Sequence, residues 1–313
     1  MSIFKAKTLR HFFFGIFCGS LLSAAIIPQT AVNSAEIALP EKKPVKLKPY
    51  TTITFSPLKE ASGLVKSRLW KGVFWTHNDS ADEPRIFPIR KNGQIIKPAW
   101  MKNYGGIRIP DAVNVDWESI TTDDKGNLYI GDFGNNHSTR RDLCIYVVEE
   151  PYPEQTVITN TRKKISYYYP EQKRIPSLKN NYDAEAMFWK KGKLYILTKH
   201  RSDTYTSLYR LDSMDPLTKN PATLVTLINI QGQVSGADIS LDARKLAVLT
   251  NDAVWIFEVN DESDDYFHGK VSWFPVKIKL AEAICWDEPE LIIISEKRRL
   301  YKLEENDLIV VRE

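Results

Sequence analysis

The sequence is poor in cysteine and shows no sustained helical periodicity. Three cysteines occur in 313 residues, and only Cys144 and Cys285 follow the first 35. Outside the cytoplasm a disulfide between them is chemically permitted. Both stand in separate, strongly apolar runs without the spacing of a metal or redox motif, so two buried free thiols are the favoured interpretation. No stretch repeats apolar residues every 3.6 positions, which argues against a helical protein.

A strong excess of positive charge is also missing from most of the chain. Residues 1–34 hold three of the 43 Lys and Arg residues and none of the 39 Asp and Glu residues. The remainder therefore carries 40 basic against 39 acidic residues. Because nucleic-acid binding requires a basic surface, we expect no nucleic-acid partner.

Familiar catalytic motifs are absent as well. The sequence contains no nucleophile elbow, no HExxH, no phosphate-binding loop and no Cys–His signature. Whether the protein is an enzyme is left open by the sequence.

The N-terminus has the pattern of a signal peptide, predicted to span residues 1–35. Three basic residues precede an apolar run of 16 residues, Phe12–Ile27, and small residues follow. We expect cleavage after Ser34 or Ala35 and export to the periplasm or the exterior, with no membrane span afterwards. An uncleaved anchor is the alternative.

Two further regions follow the signal peptide. Residues 36–50 are rich in Lys and Pro and are predicted to form a flexible linker. Residues 51–313 are predicted to form one monomeric domain of short β-strands separated by turns.

The stretch Asp116–Asn136 gives the pattern on which the domain is organised. Two short β-like runs, Trp117–Thr121 and Asn127–Gly131, flank a turn rich in Asp and Gly. Oxygen-bearing side chains stand at both outer ends of this predicted hairpin, so they should meet at one rim.

The same pattern recurs five times. The units begin at Glu60, Asp116, Tyr182, Ser235 and Ala281. Each offers three or four strands at intervals of roughly 45–65 residues, which is typical of a β-propeller blade. We predict an all-β β-propeller of five four-stranded antiparallel blades. Six is the alternative, because Ala99–Val115 could hold further strands. The last blade would be completed either by Leu308–Glu313 or by Thr51–Phe55.

A propeller would bring the starts of the first strands and the ends of the second strands to one face. The starts supply Glu60, Asp116, Glu118, Asp183, Glu185, Asp238 and Glu282. The ends supply Asp79, Asp132, Asn135, Asn136, Lys199, His200, Arg201, Asn251, Asp252, Glu296, Lys297 and Arg298, among others. Five separate pieces of chain thus deliver acidic groups to one place.

Several of these motifs resemble a family of secreted bacterial β-propeller proteins. The matching motifs are SGL…FWTHNDS, DWESI…LYIGDFGNN, DAEA, GADIS and EAI, in that order. More distantly, the chain is similar to phytase-like and gluconolactonase-like propellers, which implies a calcium or other divalent-ion site above the central channel. Two positions depart from the family pattern. Ser119 and Asn135 stand where the family has carboxylates, which lowers the negative charge at the rim.

The candidate metal ligands are carboxylates and amides, the oxygen donors that calcium prefers. They are Asp79, Asp116, Glu118, Asp132, Asn135, Asn136 and Glu185. In the alternative interpretation, the GDFGNN segment is a tight turn whose side chains bind backbone amides.

A second group of side chains could bind an anionic ligand or perform acid–base chemistry. Lys199, His200, Lys297 and Arg298 are the candidate ligand-binding residues, with solvated loops as the alternative. Glu185, His200 and His77 are candidate catalytic groups.

Two functions are consistent with this pattern. The favoured one is an exported binding module with an acidic, amide-rich site for a divalent cation, calcium, or for a ligand. Its loops would contact a small anionic ligand or a protein partner. The alternative is a metal-assisted hydrolase of a small phosphoester or lactone.

Overall fold

The computed structural model describes residues 36–260 and 262–313, and the predicted signal peptide lies outside this range. The described residues form β-strands and two 3-10 helices, Tyr266–His268 and Glu305–Asp307, with no α-helix. The predicted all-β class is confirmed. Within the same part of the chain, no helix has the length and apolar character that a membrane span requires.

Short apolar runs, separated by turn residues, form a series of short strands. In chain order they are β1 (Thr51–Thr52), β2 (Ala61–Lys66), β3 (Phe74–Asn78), β4 (Arg85–Ile89), β5 (Ile107–Arg108), β6 (Trp117–Thr122), β7 (Asn127–Asp132), β8 (Cys144–Glu149), β9 (Thr161–Tyr168), β10 (Asp183–Lys190), β11 (Lys193–Lys199), β12 (Tyr205–Leu211), β13 (Lys219–Asn229), β14 (Val234–Ile239), β15 (Lys245–Thr250), β16 (Ala253–Glu258), β17 (Lys270–Pro275), β18 (Ala281–Asp287), β19 (Glu290–Ser295), β20 (Arg299–Glu304) and β21 (Ile309–Arg312).

These strands pair in sequence order into antiparallel units. Strands β2–β5 form one sheet, β14–β17 with β21 a second, and β18–β20 with β1 a third. Strands β6–β9 and β10–β13 each pair in order, and a short parallel contact between β9 and β13 joins them into one eight-stranded sheet. The hairpin predicted from Trp117–Thr121 and Asn127–Gly131 is confirmed as β6–β7, and β10–β11 and β18–β19 pair in the same antiparallel way.

The first and the last strand of the domain pair with different units. Thr51 in β1 pairs with Leu300 in β20, so the segment Thr51–Phe55 completes the last unit. Strand β21 adds instead to the outer edge of β17 in the preceding unit. The stretch Ala99–Val115 contributes one two-residue strand, β5, to the first sheet.

The Lys- and Pro-rich segment 36–50 makes specific contacts, although the sequence suggested a flexible linker. Ile37 is buried, and its carbonyl accepts a hydrogen bond from the side chain of Gln231 at 2.7 Å. The backbone of Val45 bonds to Pro275 at 3.0 Å and to Lys277 at 2.8 Å. The buried Ile37 and the backbone of Val45 therefore attach this segment to the sheets.

The first strands of the five units contact one another in a closed cycle. Strand β2 lies against β6, β6 against β10, β10 against β14, β14 against β18, and β18 against β2. Five apolar clusters fill the spaces between neighbouring units. Trp75 and Trp117 lie in one cluster, and Phe188 and Trp255 in another. Each unit buries both its faces in this way, and both cysteines are buried free thiols, as expected.

Close contact of the first strands predicts a strong effect of Gly236→Ala. A Cβ at this position would lie 2.8 Å from the Ala283 Cα and 3.0 Å from the Glu282 carbonyl oxygen. Both are backbone atoms of β18 and cannot rotate away, so we expect a loss of about 3 kcal/mol in unfolding free energy. Gly105→Ala is the matched control, because its Cβ would meet only the Arg85 side chain at 3.5 Å. Urea denaturation with equal midpoints for the two variants would contradict the strand arrangement.

Candidate functional site

Every first strand is irregular at the same place near its start. The pairing with the second strand skips Ser62 and Gly63 in β2, Glu118 in β6, Glu185 in β10, Ser235 in β14 and Glu282 in β18. A bulge of this kind redirects the side chain of the extra residue. The cycle of first strands therefore presents three glutamates and two serines at one end.

The two serines at the bulges differ in their hydrogen bonds. The Ser62 hydroxyl donates to Glu118 Oε2 at 3.4 Å. The Ser235 hydroxyl is buried and has no hydrogen-bond partner among the described residues. One polar group at this end of the cycle is thus unsatisfied by the protein itself.

Three carboxylates lie close together beside these bulges. One oxygen each from Asp79, Asp116 and Glu118 lies within 4.8 Å of the others. Asp79 directly follows β3, Asp116 directly precedes β6, and Glu118 is the bulge residue of β6. None of the three makes an ion pair within the described part of the chain. Gly134 leaves room for them, since a Cβ there would lie 2.3 Å from Asp116 Oδ2.

Burial makes these carboxylates costly to ionise. It raises the pKa of Asp116 to about 6, with a further contribution from Asp79. It raises the pKa of Glu118 well above its usual value, and Glu185 adds to this shift. Burial also raises the pKa of Asp79. A cation placed among the three would offset the cost of burial, which is the largest cause of these shifts, and the repulsion between the carboxylates that adds to it.

The nearby basic side chains are already committed to other carboxylates. Lys199 Nζ lies 2.9 Å from Glu185 Oε1. Arg201 contacts Asp183 Oδ2 at 2.6 Å and Glu185 Oε1 at 3.0 Å. Both basic side chains are thus paired with carboxylates of their own unit, and the three-carboxylate cluster lies outside these ion pairs.

The other candidate metal ligands have protein partners. Asp132 forms an ion pair with Arg140 at 3.0 Å and accepts the Asp116 N–H at 3.0 Å. Asn135 Oδ1 accepts the N–H groups of Thr139 and Arg140, which is the tight-turn alternative considered for GDFGNN. Asn136 is exposed and contacts Arg201. With Glu185 paired to Lys199 as well, the structure brings together only Asp79, Asp116 and Glu118 from the candidate set.

The candidate ligand-binding residues do not form one site. His200 Nδ1 lies 2.7 Å from Asp203 and its Nε2 lies 3.2 Å from Ser207, so it does not pair with Glu185. Arg298 donates to the Leu58 carbonyl at 2.9 Å and holds the segment after β1. Lys297 is exposed.

His77 belongs to the core. It is fully buried, its ring lies edge-on to Trp117, and Nδ1 donates to the Asn78 carbonyl at 2.9 Å. Burial lowers its pKa to about 4. Its place in the core does not support a role as a metal ligand or a general base.

Asp238 is placed differently from the sequence expectation. The residue of β14 at the bulge is Ser235, and Asp238 lies three residues further along, near the opposite end of the strand. The sequence predicts Asp238 at the start of the first strand with the other acidic residues, whereas the backbone irregularity at that start falls on Ser235.

Two features of the site had no clear signal in the sequence. Arg140 was not singled out, and only its position eight residues after Asp132 could have suggested the pair. Ser119 also has a role that the family comparison did not suggest. Its hydroxyl accepts the Met187 N–H at 3.1 Å and joins β6 to β10.

The titration of Glu282 predicts a fall in stability with rising pH. Burial, Asp79 and Glu296 raise its pKa to about 7, opposed by Lys199 and Arg201. A folded-state pKa above the ordinary value means that the proton favours the folded state, so this contribution is present below about pH 4.5 and lost as pH rises through 7. In the presence of a chelator, the urea midpoint should fall between pH 5 and pH 8, and Glu282→Gln should reduce this slope. A slope unchanged by the substitution would contradict the assignment.

No family model matches the chain, and no curated protein matches it by sequence. One solved structure, described as the crystal structure of a functionally unknown protein from Desulfotomaculum acetoxidans DSM 771, is similar with a TM-score of 0.41. The two chains are 15% identical, over 80% of this chain and 71% of that chain. A similarity of this size assigns no function.

Proposed function

We propose that this protein is an exported binding module, a five-bladed β-propeller that holds a divalent cation at one end of its first strands. The cation is calcium, and Asp79, Asp116 and Glu118 are its carboxylate ligands. The cation would form part of a surface that contacts a small anionic ligand or a protein partner.

The propeller interpretation is supported by the order of strand pairing. Each unit begins with an inner strand and adds strands outward in sequence order, and the five inner strands contact one another in a closed cycle. Strand β1 from the start of the domain completes the last unit, which is how a propeller closes on itself.

The observation that carries the cation proposal is the cluster of three carboxylates without an ion pair. Calcium requires six to eight oxygen ligands. Three carboxylates can supply several of them, and Ser62, bonded to Glu118, lies next to this group. Partly or fully buried carboxylates this close together repel one another strongly unless a cation or protons neutralise them.

Calcium suits this site better than the other common cations. No cysteine and no available histidine lies in the cluster, which disfavours zinc. Magnesium demands a small octahedral site and retains several waters, whereas calcium accepts irregular oxygen donors.

A binding role is better supported than metal-assisted hydrolysis. The hydrolase hypothesis needs an unpaired general base and an unpaired basic side chain beside the metal. His200 is bonded to Asp203 and Ser207, and Lys199 is bonded to Glu185. Neither group is available without breaking a buried contact.

Metal analysis of the purified protein tests the proposal. We expect about one calcium per chain after dialysis against micromolar calcium, and a marked loss in Gly134→Ala, whose new Cβ would collide with Asp116 and Glu118. Gly105→Ala should retain the metal. Retention of the metal by Gly134→Ala would contradict the proposed cation site. Metal-dependent turnover of phosphoester or lactone substrates would contradict the binding-module proposal.

A further inference from the structure

A second site lies at the opposite ends of the first strands. A pocket of about 270 Å³ is formed there by residues of β2, β6, β14 and β18 and the turns that follow them. Its lining includes Val65, Thr121, Asp238 and Trp286, which come from four different units. The volume lies just below the roughly 300–1,000 Å³ of sites for drug-sized ligands, so its occupant would be small.

Asp238 is the unusual group in this pocket. It is only 8% exposed, and one of its oxygens accepts the Trp286 N–H at 2.9 Å. No lysine, arginine or histidine among the described residues forms an ion pair with it. A buried carboxylate without a cation is costly, and a ligand that brings a positive charge would remove this cost.

The surroundings of Asp238 decide between a metal ion and an organic cation. Val65, Ile239 and the Trp286 indole give the pocket apolar walls. Two carboxylates line the pocket, the buried Asp238 and the exposed Glu288, and together they offer fewer than the six to eight oxygens that calcium requires. An organic ammonium group suits it better, since it needs one anion and also gains from an adjacent indole ring.

The pocket also contains one basic group that forms no ion pair, although its charge acts on Asp238 from a distance and opposes the rise that burial causes in the pKa of that carboxyl. Arg68 lines it, is exposed, and forms no ion pair with any described residue. Lys66, by contrast, is paired with Asp287 at 2.5 Å. A guanidinium free to bind a carboxylate thus lies in the same small pocket as a buried carboxylate.

We propose that this pocket binds a small zwitterion with an apolar body, such as a free amino acid with an aliphatic or aromatic side chain. The ammonium group pairs with Asp238, the carboxylate pairs with Arg68, and the apolar side chain lies against Trp286 and Ile239. The site is separate from the carboxylate cluster, because the two lie at opposite ends of the first strands.

Isothermal titration calorimetry with three ligands of similar shape tests this proposal. L-Leucine carries both charges, 3-methylbutylamine lacks the carboxylate, and 4-methylpentanoate lacks the ammonium. We expect leucine to bind, the amine to bind at least tenfold more weakly, and the acid not to bind. L-Phenylalanine as a second zwitterion should bind as well.

Three substitutions locate the binding. Asp238→Asn keeps an acceptor for the Trp286 N–H and should weaken leucine binding at least tenfold. Arg68→Gln alters an exposed side chain and should reduce leucine to the affinity of the amine. Arg162→Gln, at an exposed ion pair outside both sites, should leave it unchanged. The proposal is overturned if neither amino acid binds, if the acid binds as well as leucine, or if both pocket variants bind with wild-type affinity.

Discussion

Calcium should raise the melting temperature of the chelator-treated protein by roughly 5–10 °C when present at about 100 times its dissociation constant. A ligand that binds only the folded state adds about 2.7 kcal/mol at that concentration. For a domain of this size, each kcal/mol shifts the melting temperature by about 2–4 °C. The physical origin is relief of repulsion among Asp79, Asp116 and Glu118.

Two isosteric substitutions distinguish the site from its surroundings. Glu118→Gln removes one charge of the cluster and should abolish most of the calcium response. Asp132→Asn removes the partner of Arg140 and should lower stability while leaving the calcium response intact. A full response in Glu118→Gln would exclude that carboxylate as a ligand. Loss of the calcium response in Asp132→Asn would indicate that Asp132 is also a ligand of the cation.

Arg201→Met should cost about 3 kcal/mol of unfolding free energy. Its guanidinium contacts Asp183, whose side chain is fully buried, and Glu185, whose side chain is 3% exposed. Removing one partner of such a pair leaves an uncompensated buried charge, which is the expensive case. Because the Arg201 side chain is itself 30% exposed, the expected loss lies at the lower end of the range for buried pairs.

Controls for this variant come from the same network and from the surface. Asp183→Asn combined with Arg201→Met should restore much of the lost unfolding free energy, because Asp183 then no longer carries an uncompensated buried charge. Arg162→Met should change stability by less than about 0.5 kcal/mol, since its ion pair with Glu149 is exposed on both sides. Equal denaturation midpoints for Arg201→Met and Arg162→Met would contradict the structural role of Arg201.

The hairpins were predictable because alternation and turn chemistry are local. The turn from Asp123 to Gly126 shows why: Asp123 accepts the N–H groups of Lys125 and Asn127, and Gly126 adopts a positive φ of 77°. Such signals need no knowledge of distant contacts. The contribution of Thr51–Thr52 to the last unit could only be left as an alternative, because pairing with β20 joins residues about 250 positions apart.

The sequence predicted that acidic residues gather at one end of the units, but it did not predict which of them lie together. The recurrence of acidic residues at the starts of first strands pointed to the correct end of the units for Asp116, Glu118, Glu185 and Glu282. The bulge that redirects one side chain in each first strand is a backbone feature with no fixed sequence signal, and the sequence therefore places Asp238 at the wrong end. Ion pairing between loops, as in Arg140 with Asp132, depends on tertiary contact and could not be read from spacing.

Calorimetric titration of calcium into the metal-free protein, with Glu118→Gln in parallel, tests the central claim most directly. The account predicts saturable binding of one ion per chain to the wild type and at least tenfold weaker binding to the variant. Absence of saturable binding to the wild type, or equal affinity in the two proteins, would contradict a cation site at Asp79, Asp116 and Glu118.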